Sequence, residues 1–467
     1  MATVRDPERP GTWPRLSRRT VGAYAIGSLG TGGFATLPGL VLVYFLTDTL
    51  GVVPLVAGLV VTAAKVWDVI IDPVVGAQSD RDLARTGSRR RFMITGGLLL
   101  PVAFALTFAV PAGLGPVASG LWVLVAFVLA TTAFSLFQVP YIALPAELAD
   151  GYDARTRLLS SRVVVLTIAI LLFGAGGPTL RTLGGGDEHL GYLIMGVVAA
   201  VVLGVGLVIA SRSAPRGLPS AVPPRVGVVE HYRAGLDVLR RSAAFRSVLA
   251  TFVLQGLATG MMLAGAQYVA TWVLADETAV DLLFAALIAP AVVCAPLWSM
   301  VSRRTGKKRA FMIASALYGL AALSLVVLTW APGAWIYLPV SLAGAAYAGM
   351  QTLPMAMLPD VVAVDARTAG PGQAGVFGGM WTAGETAGMA VGTGLLTVVL
   401  AVTGYQASSG SVAVVQTPTA VAGIALAFSL VPAVIIAISL LTLWRYPLRR
   451  ADVDGTASDS VAGVPAG

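Results

Sequence analysis

From Val21 to Trp444 the chain alternates between long apolar stretches and short polar breaks. Each stretch runs to about 20 residues or more with almost no charge, long enough at ~1.5 Å per residue to cross a hydrocarbon core of ~30 Å as a helix. Twelve such stretches can be marked, near 21–47, 55–79, 92–112, 116–145, 159–183, 191–212, 244–274, 279–302, 310–331, 333–359, 373–403 and 418–444. In lipid every backbone polar group must find its partner within the segment, so stretches of this kind predict helices. The predicted fold class is an all-α integral membrane protein with twelve transmembrane helices.

The polar breaks set the topology. Arg5, Arg9, Arg15, Arg18 and Arg19 precede the first stretch, the even-numbered breaks hold Arg81 to Arg91, Arg155 to Arg162, Arg212 to Arg246, Arg303 to Arg309 and Arg367, and Arg445, Arg449 and Arg450 follow the last. The odd-numbered breaks carry only Arg181. Because basic loops stay on the cytoplasmic side, both termini are expected there, which requires an even number of spans. The expected location is the cell's inner (plasma) membrane.

Composition agrees: 57% of the 467 residues are hydrophobic and only 12% charged, against roughly 25% charged in an ordinary soluble domain. The net charge of +8 reflects one-sided loops, so no nucleic-acid partner is expected; the lipid bilayer and a small-molecule substrate are, with the chain acting as a monomer. No cleavable signal peptide is expected, since the first apolar run is too long and follows the Arg-rich arm 1–20. Cys294 is the single cysteine, and His189 and His231 fall in breaks on opposite sides, so no cofactor or thiol metal cluster is expected.

Two echoes divide the chain into halves. RTGSRRRFMI from Arg85 returns as RTGKKRAFMI from Arg304, and QVPYIALPAEL from Gln138, followed by DARTR, returns as QTLPMAMLPDV from Gln351, followed by DARTA. Pro140 and Pro145 share their spacing with Pro354 and Pro359. Two matches in the same order imply a tandem six-helix repeat, the plan of major facilitator transporters, whose substrate site lies near the midplane between halves. The expected divisions are a cytoplasmic arm 1–20, a six-helix bundle 21–212, a linker 213–243 with a short amphipathic helix over Glu230–Arg241, a second six-helix bundle 244–445 and a tail 446–467.

Ionisable groups inside the spans cost about 2.5–3.5 kcal/mol each on insertion scales, so each asks for a reason. Span two carries Lys65, Asp68 and Asp72, and span eleven carries Glu385. Spacings of three and four put the first three on one helical stripe. One lysine against two carboxylates leaves the cluster one charge from neutral, a deficit that a proton or Na⁺ would relieve, though an ion-pair network that only packs the helix fits the same residues. Glu385 lies among Gly384, Gly388 and Gly392, spaced for close helix approach. Lys65, a proton or a backbone carbonyl could each serve it as partner.

The segment KVWDVIIDPVVGAQSDR, Lys65 to Arg81, resembles the second-helix signature of the glycoside-pentoside-hexuronide:cation symporters, the melibiose-permease group of the major facilitator superfamily, at Lys65, Trp67, Asp68, Asp72, Pro73 and Gly76. VPYIALP in span four and Arg162 in span five add to it. The resemblance implies that Asp68 and Asp72 bind the coupling cation, with Na⁺ a possible ion there and Ser135 able to add one hydroxyl. It also implies that Gly76, Asp80 and Arg81 match the superfamily's GxxxDR motif, whose charges lock one conformation.

Three departures bear on substrate and ion. The aspartates that the family uses for sugar hydroxyls in spans one and four are replaced by GTGG, Gly30 to Gly33, and by Gln138; Ile71 stands where an asparagine oxygen is usual; and Glu385 stands in place of a lysine. With three acids and one base at the midplane, the balance favours protons over sodium. The resulting expectation is a secondary active transporter, not an enzyme, that couples H⁺ (or Na⁺) to symport of a small organic solute such as a sugar or glycoside by alternating access. Candidate cavity residues are Gln138, Tyr141, Gln267, Tyr268, Tyr347 and Gln351, with Trp67 and Trp381 bordering the charges. Arg162 reads either as a cavity charge or as a topology anchor. A lipid or lysolipid carrier of the same superfamily is the alternative. An intramembrane prenyltransferase, in which DxxxD would hold Mg²⁺ on a diphosphate, needs a second acidic motif, and the matching second-half segment IAPAVVCAPLW contains no acid.

Overall fold

A computed structural model describes residues 17–148, 152–215, 228–369, 374–409 and 414–448. Of the predicted arm, linker and tail, residues 1–16, 216–227 and 449–467 lie outside the described residues.

The first half is built from α1 (Arg18–Tyr44), α2 (Pro54–Thr86), α3 (Arg90–Phe108), α4 (Pro116–Leu148), α5 (Tyr152–Thr179) and α6 (Glu188–Ser211). After α7 (Val228–Arg241), which covers the predicted amphipathic segment, the second half runs through α8 (Ala243–Tyr268), α9 (Ala279–Thr305), α10 (Lys307–Ser324), α11 (Tyr337–Ala369), α12 (Ala374–Val402) and a last span broken at Ser429 into α13 (Pro418–Phe428) and α14 (Leu430–Trp444). Eleven described segments are long and apolar enough to cross a membrane. The twelfth, α11, has 33 residues, ample length, but Gly, Pro, Tyr347 and Gln351 dilute its apolar character. This is the composition expected of a helix that faces a polar interior rather than lipid. On lipid-facing α6, Val197, Val201 and Val205 recur every four residues and are 43%, 59% and 55% exposed, an apolar stripe that water would disfavour and acyl chains accept.

The packing reproduces the repeat. In the first half α1 packs on α5 and α6, α3 on α4 and α6, and α2 on α4; in the second half α8 packs on α12 and α14, α10 on α11 and α14, and α9 on α11. Between halves α2 meets α12, α5 meets α9, and α1 meets α8. Exchanging the halves turns each of these pairings into another, so the two bundles are related by a pseudo-two-fold axis that passes between α1 and α8.

The same local chemistry starts and stops equivalent helices. Ser17 and Ser242 cap α1 and α8, their hydroxyls accepting from Thr20 N at 3.0 Å and Phe245 N at 3.2 Å. Gly87 and Gly306, the glycines of the two RTG echoes, end α2 and α9 at φ of 73° and 87°, a region that a Cβ would penalise. Basic residues just beyond each glycine then tie the loop to an acid near the end of α4 or α11: Arg89 to Glu147 and Lys307 to Asp360, both at 2.5 Å. Small residues allow α8 and α12 to touch along their backbones. A Cβ on Gly388 would stand 2.6 Å from the Val253 carbonyl oxygen, and one on Gly260 2.6 Å from that of Met389.

Candidate functional site

The acidic cluster of α2 forms as its spacing implies. Pro54 occupies the first turn of α2, where its missing N–H costs nothing, and the helix runs unbroken through the cluster. Lys65, Asp68 and Asp72 share the face toward α4, where Ser135 donates to Asp68 Oδ1 at 3.1 Å. Asp68 is 8% exposed. Lys65 acts electrostatically on both carboxylates, and the two carboxylates act on each other. Three residues before Ser135, Thr132 accepts the Trp67 indole N–H at 2.8 Å, so this tryptophan clamps α2 to α4. The gathered oxygens are two carboxylates and one hydroxyl, with one ammonium beside them. That set is one positive charge short of neutral.

Farther along α4, Gln138 and Tyr141 face the first bundle's interior. Tyr141 is fully buried, donating to Tyr24 O at 2.7 Å and stacking on Tyr24 at 4.7 Å, with the Arg162 guanidinium 5.3 Å from its ring centre. It therefore packs α4 against α1 and supports Arg162 from behind. The Gln138 carbonyl oxygen and the Arg162 Nε are buried without a hydrogen-bond partner, a costly state for polar groups.

In the second bundle Glu385 shares a small pocket with Phe252, Gln255, Thr259, Tyr347, Gln351 and neighbouring groups. Trp381, one turn before Glu385, stacks on Phe252 at 4.3 Å. Glu385 therefore sits apart from the α2 cluster, and Lys65 serves the two aspartates instead.

Two expected cavity residues lie elsewhere. Gln267 accepts from Arg181 Nη2 at 2.9 Å, and the Tyr268 hydroxyl bonds with Thr47 at 2.6 Å. Both belong to a seal between the bundles at the end away from the termini. Its centre is Asp48, 3% exposed, one residue beyond the first apolar stretch of the sequence. Asp48 Oδ1 accepts from Tyr405 at 2.6 Å and Oδ2 from Thr47 at 2.5 Å, while its backbone carbonyl accepts from Ser408 at 2.7 Å. Thr179 and Asp281 add a further link, at 2.5 Å. Asp48 lies in a π-helical turn, Phe45–Thr49, that continues α1, and Val269–Val273 continues α8 in the same way. Such turns recur at functional sites because the extra residue rotates the side chains that follow. A Tyr or Thr beside an acid at the end of a span, rather than a loop acid, was the available signal.

At the terminus-bearing end lie the motif residues Gly76, Asp80 and Arg81. Asp80 pairs with Arg89 at 2.5 Å, and Arg89, 8% exposed, also bonds Ser79 at 2.9 Å. Burial opposes its charge, but Glu147 and Asp80 outweigh that and hold the guanidinium above its ordinary pKa. Gly76 has only Val139 near the place of a Cβ, at 3.5 Å. Its lack of a side chain is therefore not demanded by packing in this conformation.

Known proteins match this arrangement over most of its length. The family described as MFS/sugar transport protein matches residues 23–450. The glucuronide carrier protein homolog of Escherichia coli is 24% identical over 93% of both chains. The sodium-dependent lysophosphatidylcholine symporter 1 of Gallus gallus is 23% identical over 96% of this chain and 89% of its own. Among solved structures, a bacterial homologue of the human drug peptide transporters superposes with a TM-score of 0.65 at 15% identity, covering 93% of this chain and 99% of that one. The protein therefore belongs to the MFS/sugar transport protein family, as the α2 resemblance to the glycoside-pentoside-hexuronide:cation symporters implied, and is a multi-pass membrane transporter rather than an enzyme.

Proposed function

We propose that the chain is a proton-coupled symporter of a small polyhydroxylated solute, a sugar or glycoside, working by alternating access. The observation that carries this reading is the buried set of Asp68, Asp72, Lys65 and Ser135, one positive charge short of neutral in a span where charge is costly. A proton taken up there removes the deficit. Because the set lies on α2, which packs on α12 of the other bundle, its protonation changes the relative stability of the two bundle orientations, and an ion drives transport only through such a difference.

The solute lies between the walls that hold partnerless polar atoms: Gln138 and Arg162 in the first bundle and the Glu385 pocket in the second. Basic loops place the terminus-bearing end in the cytoplasm. The conformation is then inward-facing, because the inter-bundle seal lies at the other end while the Arg89 and Lys307 ion pairs each stay within one bundle. The lysophosphatidylcholine relative supports a second reading, an amphipath carrier.

The test uses purified protein in sealed liposomes with either a pH gradient or a sodium gradient imposed. Accumulation of labelled sugars under the pH gradient alone is the expected result. Accumulation that follows sodium alone, or that appears only for lysolipids, overturns the proton or the sugar assignment respectively.

A further inference from the structure

Glu385 has no part in the coupling set, yet a carboxylate in mid-span demands a partner. No ion pair among the described residues involves it, and the only group with which it interacts electrostatically among its pocket neighbours is the Tyr347 hydroxyl. The pocket's hydrogen-bonding character follows from counting protons. The Ser315 hydroxyl donates to Phe311 O at 2.8 Å and the Ser439 hydroxyl to Ile436 O at 2.7 Å, so each has only lone pairs left for Gln255. Gln255 must then present its NH₂ to both, at 2.8 and 3.4 Å. Its carbonyl oxygen is left over on a residue 2% exposed, without a partner, on the pocket wall. Thr259 likewise gives its proton to Gln255 O at 3.0 Å and keeps its lone pairs.

The pocket therefore gathers three acceptors, the Glu385 carboxylate, Gln255 Oε1 and the Thr259 hydroxyl, with the rings of Phe252 and Tyr347 beside them; the Tyr347 hydroxyl and the Gln351 amide line it too and can donate. A charged acceptor with no ion-pair partner among the described residues, with two further acceptors and aromatic faces alongside, describes a site for a cation that donates several hydrogen bonds. The cavity volume is ≈ 10 Å³, about what one water needs. A primary ammonium group is of that size and has three N–H donors. A quaternary ammonium is too large and has none.

We propose that this pocket binds a primary ammonium group of the transported solute, which narrows the solute class to aminated sugars or glycosides. The proposal rests on the sugar-symporter reading and adds the head group that the second bundle recognises.

The experiment measures binding to the purified full chain by titration calorimetry, with glucosamine, N-acetylglucosamine, glucose and glucuronate as probes, and with ethanolamine against choline as sugar-free controls. Glucosamine is expected to bind at least about tenfold more tightly than glucose or N-acetylglucosamine, the lower bound for a hydrogen bond to a charged group. Ethanolamine should compete and choline should not. Glu385→Gln should erase the preference, and Gln255→Met, which removes only the neutral acceptor, should weaken it; Asp68→Asn should leave it intact. Equal binding of glucosamine, glucose and N-acetylglucosamine to the native chain, or a preference that survives both Glu385→Gln and Gln255→Met, overturns the proposal. Loss of proton-driven glucose accumulation in Glu385→Gln, with no change in binding, would instead make Glu385 a proton carrier and also overturn it. Failure of the coupling reading is separate, since it appears in the Asp68 and Asp72 variants and not in the amine preference.

Discussion

Replacing Tyr405 by Phe removes one oxygen atom from the centre of the seal and leaves the ring in place. In the sealed conformation that hydroxyl donates to Asp48 Oδ1 at 2.6 Å, and Asp48 is 3% exposed, so water cannot take its place. Once the bundles part at this end, Asp48 meets water and the missing hydroxyl costs nothing. The change therefore falls on the sealed state alone. Leaving a buried acceptor unsatisfied costs about 1–3 kcal/mol, so Tyr405→Phe should shift the equilibrium toward the outward-open form by roughly 5- to 150-fold. The single native cysteine, Cys294, can be replaced by Ser and a reporter placed at Leu263, on α8 where it touches Gly39 of α1 between the bundles. The rate at which a membrane-impermeant maleimide labels this cysteine from the outer face of sealed right-side-out vesicles reports opening. It should rise at least about fivefold in Tyr405→Phe and stay unchanged in Tyr337→Phe, which lies outside the seal. An unchanged rate in Tyr405→Phe would show that the Asp48 contact does not hold the bundles together.

Two further expectations concern stability. Arg89→Ala strands Glu147, whose partner oxygen lies 2.5 Å away in a pair with 10% and 19% side-chain exposure; breaking such a pair costs about 3 kcal/mol or more, read as a lowered melting temperature in detergent that Arg89→Lys partly restores. Gly388→Ala drives a Cβ against the Val253 carbonyl and should destabilise by about 1–3 kcal/mol. Gly378→Ala on the same helix meets nothing within 4 Å and should be neutral or stabilising by up to ~1 kcal/mol; equal effects at the two positions would contradict the α8–α12 contact.

Much of this architecture is written in one dimension because lipid imposes it locally. A span must be apolar and helical wherever it packs, so the twelve stretches, the Gly-terminated RTG loops and the α2 stripe could be read without knowing any neighbour. The Asp68 contact with Ser135 is of another kind: it joins two helices paired by the fold, and only the family resemblance pointed to that serine. What could not be read depended on helix rotation and on the choice among similar partners. Arg81 and Arg89 are equivalent as letters, and only the Gly87 turn, which swings the chain back over α2 and α4, gives the pair to Arg89. Gln267 and Tyr268 lie on α8 as expected for a cavity helix, but one turn too near its end, where Arg181 and Thr47 reach them. Asp48 looked like the start of a loop until the π turn carried it inward.

The claim that most depends on measurement is that Asp68 and Asp72 seat the driving ion. A pH difference of one unit across the membrane supplies ~1.4 kcal/mol per proton, enough for about tenfold accumulation of solute. In liposomes, the native chain should reach that ratio. Asp68→Asn/Asp72→Asn keeps the shape of both side chains but cannot exchange a proton, so it should exchange solute across the membrane at equal concentrations yet accumulate none. Retention of about tenfold, gradient-driven accumulation by the double variant would contradict the account.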